Sequence, residues 1–172
     1  MPLPVSHLGV ATLLLVLASV ADVWKRRIPN PLNAILALEG VWAQASSRGW
    51  VAMLQALCAG VLTVALLWVP WMKGRLGGGD VKMAGGAAVW VGLGLWPEYL
   101  VFTALAGGIV GVICYAFSTR PAQRAIRDNL AAAAAGQGLA EAPLKGGGRL
   151  SVPYGVAVAM GSLVILWKGG GW

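Results

Sequence analysis

The chain has 172 residues, of which 58% are hydrophobic and 11% charged, against about 25% charged residues in soluble domains. That composition argues against a soluble globular fold. Roughly six spans of about 20 residues would use about 120 positions and leave little for an extramembrane domain. The net charge of +7 does not point to nucleic acid, because the basic residues lie in short clusters between apolar runs, where they set membrane topology.

In chain order, apolar runs predict spans near 5–23, 31–45, 51–69, 83–96, 99–117 and 152–167. The first is read as an uncleaved span rather than a signal peptide, since Lys25, Arg26 and Arg27 follow it instead of preceding it. Pro29 stops the first helix, and Asn30 and Pro31 are expected as N-cap and first residue of the second. Trp24, Trp50, Trp68, Trp71, Trp96 and Trp167 fall at or near the span ends, where indole rings sit between lipid and headgroup. The fourth and fifth spans hold Gly85, Gly86, Gly92, Gly94, Gly107, Gly108 and Gly111, expected to permit close helix packing. Residues 118–150 form one longer loop. Arg120, Arg124 and Arg127 would share a face there if it were helical, the alanines of 131–135 read as linker, and a solvated basic loop is the simpler expectation.

Alternate loops hold Lys25, Arg26 and Arg27, then Lys73, Arg75 and Lys82, then Arg120, Arg124, Arg127, Lys145 and Arg149, which is eleven of the thirteen basic residues. By the positive-inside rule those loops are cytoplasmic and both termini lie outside. The expectation is an all-α polytopic membrane protein of about six transmembrane helices, N-out and C-out, forming a single domain over 1–172. Cys58 and Cys114 lie inside apolar runs and His7 is the one histidine, so neither a zinc site nor a disulfide framework is expected.

Six acids are present. Asp128, Glu141 and Glu98 fall in polar segments, and Glu39 lies about two turns into the second span, as an interior polar contact or a group facing a water-filled cleft. Asp22 closes the first span and Asp80 opens the fourth, so two crossings separate them and both face the same cytoplasmic side. Taken singly, each fits an interfacial acid balanced by Lys25 or Lys82. Ionisable groups at membrane depth are costly, however, and commonly functional, and the three glycines before Asp80 allow close backbone approach. A phosphate cradle is disfavoured, because G-x-x-x-x-G-K-[ST] is missing and an acid at a helix start repels phosphate.

Gly77-x-Gly79-Asp80, with Lys82 two residues on, resembles the GxGD motif of type IV prepilin peptidases. Asp22 followed by Arg27-Ile-Pro29-Asn30 is similar to the pattern around that family's other aspartate. Val152-Pro-Tyr-Gly155 with Gly161 resembles the element near its last span. The resemblance implies an aspartic endopeptidase whose catalytic residues are Asp22 and Asp80, with Arg27, Pro29, Asn30, Gly77, Gly79 and Lys82 supporting the site or lying near substrate. It further implies a prepilin substrate, a single-span membrane protein cut just before its hydrophobic segment, in the inner membrane. Lacking the cysteine motifs of longer members, the chain resembles short peptidase-only forms of Flp or tight-adherence systems, with archaeal preflagellin peptidases as further short relatives, and no methyltransferase activity is implied. Two close carboxyls share one proton. The ionised one takes a proton from the attacking water and the other hydrogen-bonds the scissile carbonyl, so no metal or organic cofactor is required. Helix dipoles suggest Asp80 as base and Asp22 as acid. Two other readings stand beside this one: a proton- or ion-coupled transporter or channel subunit, and a non-catalytic membrane subunit of pilus-assembly machinery.

Overall fold

The computed structural model describes residues 3–74, 76–135 and 153–170. The readings made at Arg75, Glu141, Lys145, Arg149 and Val152 lie outside the described residues. The described chain is helical: α1 (Val5–Lys25), α2 (Asn30–Arg48), α3 (Trp50–Met72), α4 (Gly78–Val91), a short 3-10 turn (Leu93–Leu95), α5 (Trp96–Ala116), α6 (Arg120–Ala134) and α7 (Tyr154–Gly170). Three stretches, Val5–Lys25, Trp50–Met72 and Leu93–Ala116, are long and apolar enough to cross a membrane, and Tyr154–Lys168 is a shorter apolar helix. These helices make the chain a membrane protein. The sequence had led to an expectation of six spans.

The helix boundaries follow from local chemistry. α1 ends at Arg26, the one described non-glycine residue with positive φ (51°), whose N–H donates to Asp22 O at 2.9 Å. A residue held in that left-handed region costs about 1–3 kcal/mol, and here it turns the chain sharply into Arg27-Ile28-Pro29. α2 then starts one residue earlier than expected, with Pro29 as its N-cap. Asn30 is not the cap because its Oδ1 accepts from Lys82 Nζ at 2.9 Å. α4 starts at Gly78 and stops at Gly92 (φ 78°), a conformation that glycine adopts without penalty. Trp96 therefore begins α5 instead of ending the fourth helix.

The loop expected over 118–150 contains α6, and most of the alanine run lies inside it. Alanine is the strongest helix former, and the linker reading gave that too little weight. Arg120, Arg124 and Arg127 lie on that helix at spacings that place them on one face.

The chain divides into two compact units, Met1–Gly108 with Pro153–Trp172, and Ile109–Val152. In the first unit α4 is the buried centre. Its residues 83–91 are all buried, and it packs against α2, α3 and α7. A helix apolar on every side belongs inside a protein, and its 14 residues rise only about 21 Å. Trp90 is fully buried, with its Nε1 donating to Leu36 O at 2.7 Å. Tyr99 OH donates to Ala84 O at 3.0 Å. Gln44 Nε2 reaches the last carbonyls of α4, Trp90 O at 2.8 Å and Val89 O at 3.3 Å.

Lipid offers no hydrophobic drive for helices to associate, so close contact and hydrogen bonds hold such a bundle. Gly60 of α3 and Gly85 of α4 meet at a crossing where a Cβ on Gly60 would stand 3.1 Å from Gly85 O. Gly86 lies against Leu36 of α2. The other glycines expected to pack do less: Gly92 breaks the helix, Gly107 makes ordinary contact, and Gly94, Gly108 and Gly111 have nothing within 4 Å among the described residues.

Candidate active site

Asp22 lies in the last turn of α1 and is buried. Its Oδ2 accepts the backbone N–H of Gly155 at 2.9 Å. Gly155 is the second residue of α7, where backbone N–H groups have no partner within the helix, so the carboxyl of one helix end satisfies the start of another. Ser19, one turn earlier on α1, donates to Leu15 O at 2.8 Å and approaches Gly155 O at 3.4 Å. The positive charge of Arg26 also acts on Asp22.

Asp80 lies in the first turn of α4 and is half-buried. The backbone of Gly77, the N-cap of α4, lies against its carboxyl. A Cβ on Gly77 would stand 2.7 Å from Asp80 Oδ2, so the glycine lets the acid fold back over its own helix start. The two aspartates are close enough for the charge of Asp22 to act on Asp80.

Contacts between the two motifs fix the pair. The turn after α1 lays Ile28 on Gly79, where a Cβ would meet the Ile28 Cβ at 3.4 Å and its backbone N and O at 3.6 Å. Asn33 Nδ2 donates to Gly79 O at 3.2 Å. The Lys82–Asn30 hydrogen bond joins the same two segments. Of the residues expected to support the site, Asn30, Gly79 and Lys82 make contacts across this junction; Pro29 caps α2 and Gly77 caps α4, while Arg27 is exposed in the turn.

Sequence reasoning missed Asn33 and gave Gly155 no role. The spacing of Asn33 from Asn30 puts both on one face of α2, a signal open to anyone asking what faces the glycines before Asp80. The Gly155 bond spans 133 positions and no spacing could reveal it. Glu39 is half-buried on α2 and is not among the residues assembled around the aspartates. The dipole argument separating the two acids also weakens, because Asp22 ends α1 but its Oδ2 sits at the start of α7. No group of three or more His, Cys, Asp or Glu side chains suited to a metal ion occurs among the described residues. What the site does present is two neighbouring carboxyls, each lying against a glycine and carried on packed helix ends.

Apolar helices that expose large side chains over much of their length, enclosing a pair of acids, define a helical membrane protein with an acid-pair site. The chain belongs to the type IV leader peptidase family, which its residues 9–112 match. That makes it a peptidase. The match contains Asp22 and Asp80 and stops before α6, so the α7 segment with Gly155 and Gly161 lies beyond it. Neither the curated proteins nor the solved structures give a significant match.

Proposed function

We propose that the chain is a membrane-embedded aspartic endopeptidase that removes the leader of type IV or Flp-type prepilins at the cytoplasmic face of the inner membrane. Asp22 and Asp80 are its catalytic pair. The observation that carries this reading is that the ends of α1 and α4 bring the two carboxyls close enough for the charge of Asp22 to act on Asp80, with Asp22 bound by the Gly155 N–H and Asp80 lying against Gly77. Two carboxyls so placed share one proton. The ionised member deprotonates a water as it attacks the scissile carbonyl, the protonated member donates to the carbonyl oxygen, and the proton then passes to the leaving amine. The apparent ionisations belong to the pair rather than to either residue.

In this reading the six apolar segments all cross the membrane, N-out and C-out, and the basic clusters keep the catalytic end cytoplasmic. The substrate is a single-span protein whose leader lies in the cytoplasm. Preorganised acids cost little to align at the moment of reaction, and the contacts of Gly79 with Ile28 and Asn33 serve that end.

The test is cleavage of a candidate prepilin in membranes containing Asp22→Asn or Asp80→Asn protein inserted at equal yield. Each variant should lose at least about a hundredfold in rate, the scale of a missing general acid or base. Cleavage persisting in both variants would overturn the assignment.

A further inference from the structure

The face of α4 turned away from Asp80 opens into a groove of about 1030 Å³ between α2 and α3. Its α3 wall is Leu57, Val61 and Val64, Ala37 comes from α2, and Gly85 and Val89 of α4 form the floor. One end alone is polar, where Lys82, Asn30 and Asn33 converge. Trp68, four residues before the end of α3, borders the groove as well. An apolar trough with one cation and an indole at its mouth matches a molecule with one anionic head and an apolar tail.

Two details sharpen this match. Lys82 Nζ donates to Asn30 Oδ1 at 2.9 Å, which uses one of its three donors and fixes the ammonium at the mouth. Asn33 is 4% exposed, and its Oδ1 has no hydrogen-bond partner among the described residues although Nδ2 is bound to Gly79 O. A buried acceptor without a donor is costly. A headgroup carrying both a phosphate and a hydroxyl would supply an anion for Lys82 and a donor for Asn33.

We propose that this groove is a binding site for an anionic glycerophospholipid with a hydroxylated headgroup. One acyl chain lies along α3 and α4, and the phosphate sits on Lys82. The position of Asp80 favours a lipid over the apolar segment of a substrate. Lys82 is two residues on and about 160° away around the helix, so a segment seated in the groove would hold its scissile bond on the wrong side of α4. Through Lys82–Asn30 and Asn33–Gly79 the bound headgroup would bridge α2 to the turn that carries Asp80.

The test needs no peptidase activity. The full chain is reconstituted in phosphatidylcholine vesicles containing a trace of phosphatidylglycerol with a photoactivatable acyl chain, and adducts are mapped by mass spectrometry. Adducts should concentrate on Leu57, Val61 and Val64. Excess unlabelled phosphatidylglycerol should reduce them at least fivefold, and extra phosphatidylcholine should not. Lys82→Gln should cause a similar loss and Lys82→Arg should retain labelling. Val61→Trp, at a position 68% exposed where a larger side chain enters the groove, should also abolish it without depending on the charge. Equal competition by both lipids, or labelling indifferent to Lys82→Gln, would overturn the proposal. So would displacement of the probe by an apolar prepilin segment that phosphatidylglycerol fails to match, which would make the groove a protein-docking site.

Discussion

Gly155 touches Asp22 so closely that a methyl group there would stand 2.9 Å from Oδ2 and 3.1 Å from Cβ. Contacts that short force something to shift, and the carboxyl is the group in the way. Gly155→Ala should therefore lower kcat at least tenfold while KM changes less than twofold, because a misplaced acid spoils the chemical step and leaves substrate binding alone. Gly77→Ala separates conformation from contact at the other aspartate. Gly77 has φ −72°, which alanine adopts without strain, so any loss must come from the Cβ that would stand 2.7 Å from Asp80 Oδ2. The expected result is a comparable fall in kcat with the thermal midpoint little changed. Gly108→Ala is the control, since nothing lies within 4 Å of its Cβ position among the described residues and alanine gains roughly 0.5–1 kcal/mol over glycine within a helix. A loss of activity at Gly108 equal to that at Gly155 would show that alanine harms this bundle generally, and the positioning argument would fail.

At the scale of elements, α4 is a short buried helix whose end depends on borrowed hydrogen bonds. Its final carbonyls have no intrahelical donors, and Gln44 reaches two of them. Gln44→Leu keeps the volume and removes the donor. It should cost about 1–3 kcal/mol, read as a lower thermal midpoint in detergent, while kcat at low temperature stays near the starting value because Asp80 is at the opposite end of the helix. A midpoint unchanged by Gln44→Leu would mean that water or headgroups satisfy those carbonyls instead. The sequence made α1, α2, α3, α5 and α7 legible to within a few residues, since their apolar runs are bounded by Pro29, Gly49 or basic clusters. It misplaced α4, because hydropathy continues unbroken from Val91 to Trp96 and only the positive φ of Gly92 ends the helix. It read α6 as loop, because the alanine run was taken for linker although alanine is the strongest helix former. At the site, counting crossings put Asp22 and Asp80 on one side, the family resemblance made them a pair, and the glycine run before Asp80 was plain. Neither Asn33 on Gly79 nor Gly155 on Asp22 was legible, since each contact forms only when separate helices pack.

At the scale of the whole molecule, the arrangement of the basic clusters and the meeting of Asp22 with Asp80 make one joint demand on topology. If two acids separated by α2 and α3 lie on one side, the chain must return to that side after an even number of crossings, and the positive-inside rule makes that side cytoplasmic. Cysteine labelling can test both parts. Cys58 and Cys114 are not disulfide-bonded, so replacing both with serine gives a background for single cysteines at Arg27, Lys73 and Ser46, which are all exposed. Arg27 follows α1, Ser46 lies near the end of α2, and Lys73 follows α3. A membrane-impermeant maleimide applied to intact cells should label position 46 alone, and positions 27 and 73 should react only after the membrane is opened. Labelling of 27 and 73 in intact cells, with 46 protected, would invert the orientation and place the acid pair outside. Labelling of 27 and 73 from opposite sides would be more damaging, since Asp22 and Asp80 would then end on opposite faces and could not form the pair seen in the fold.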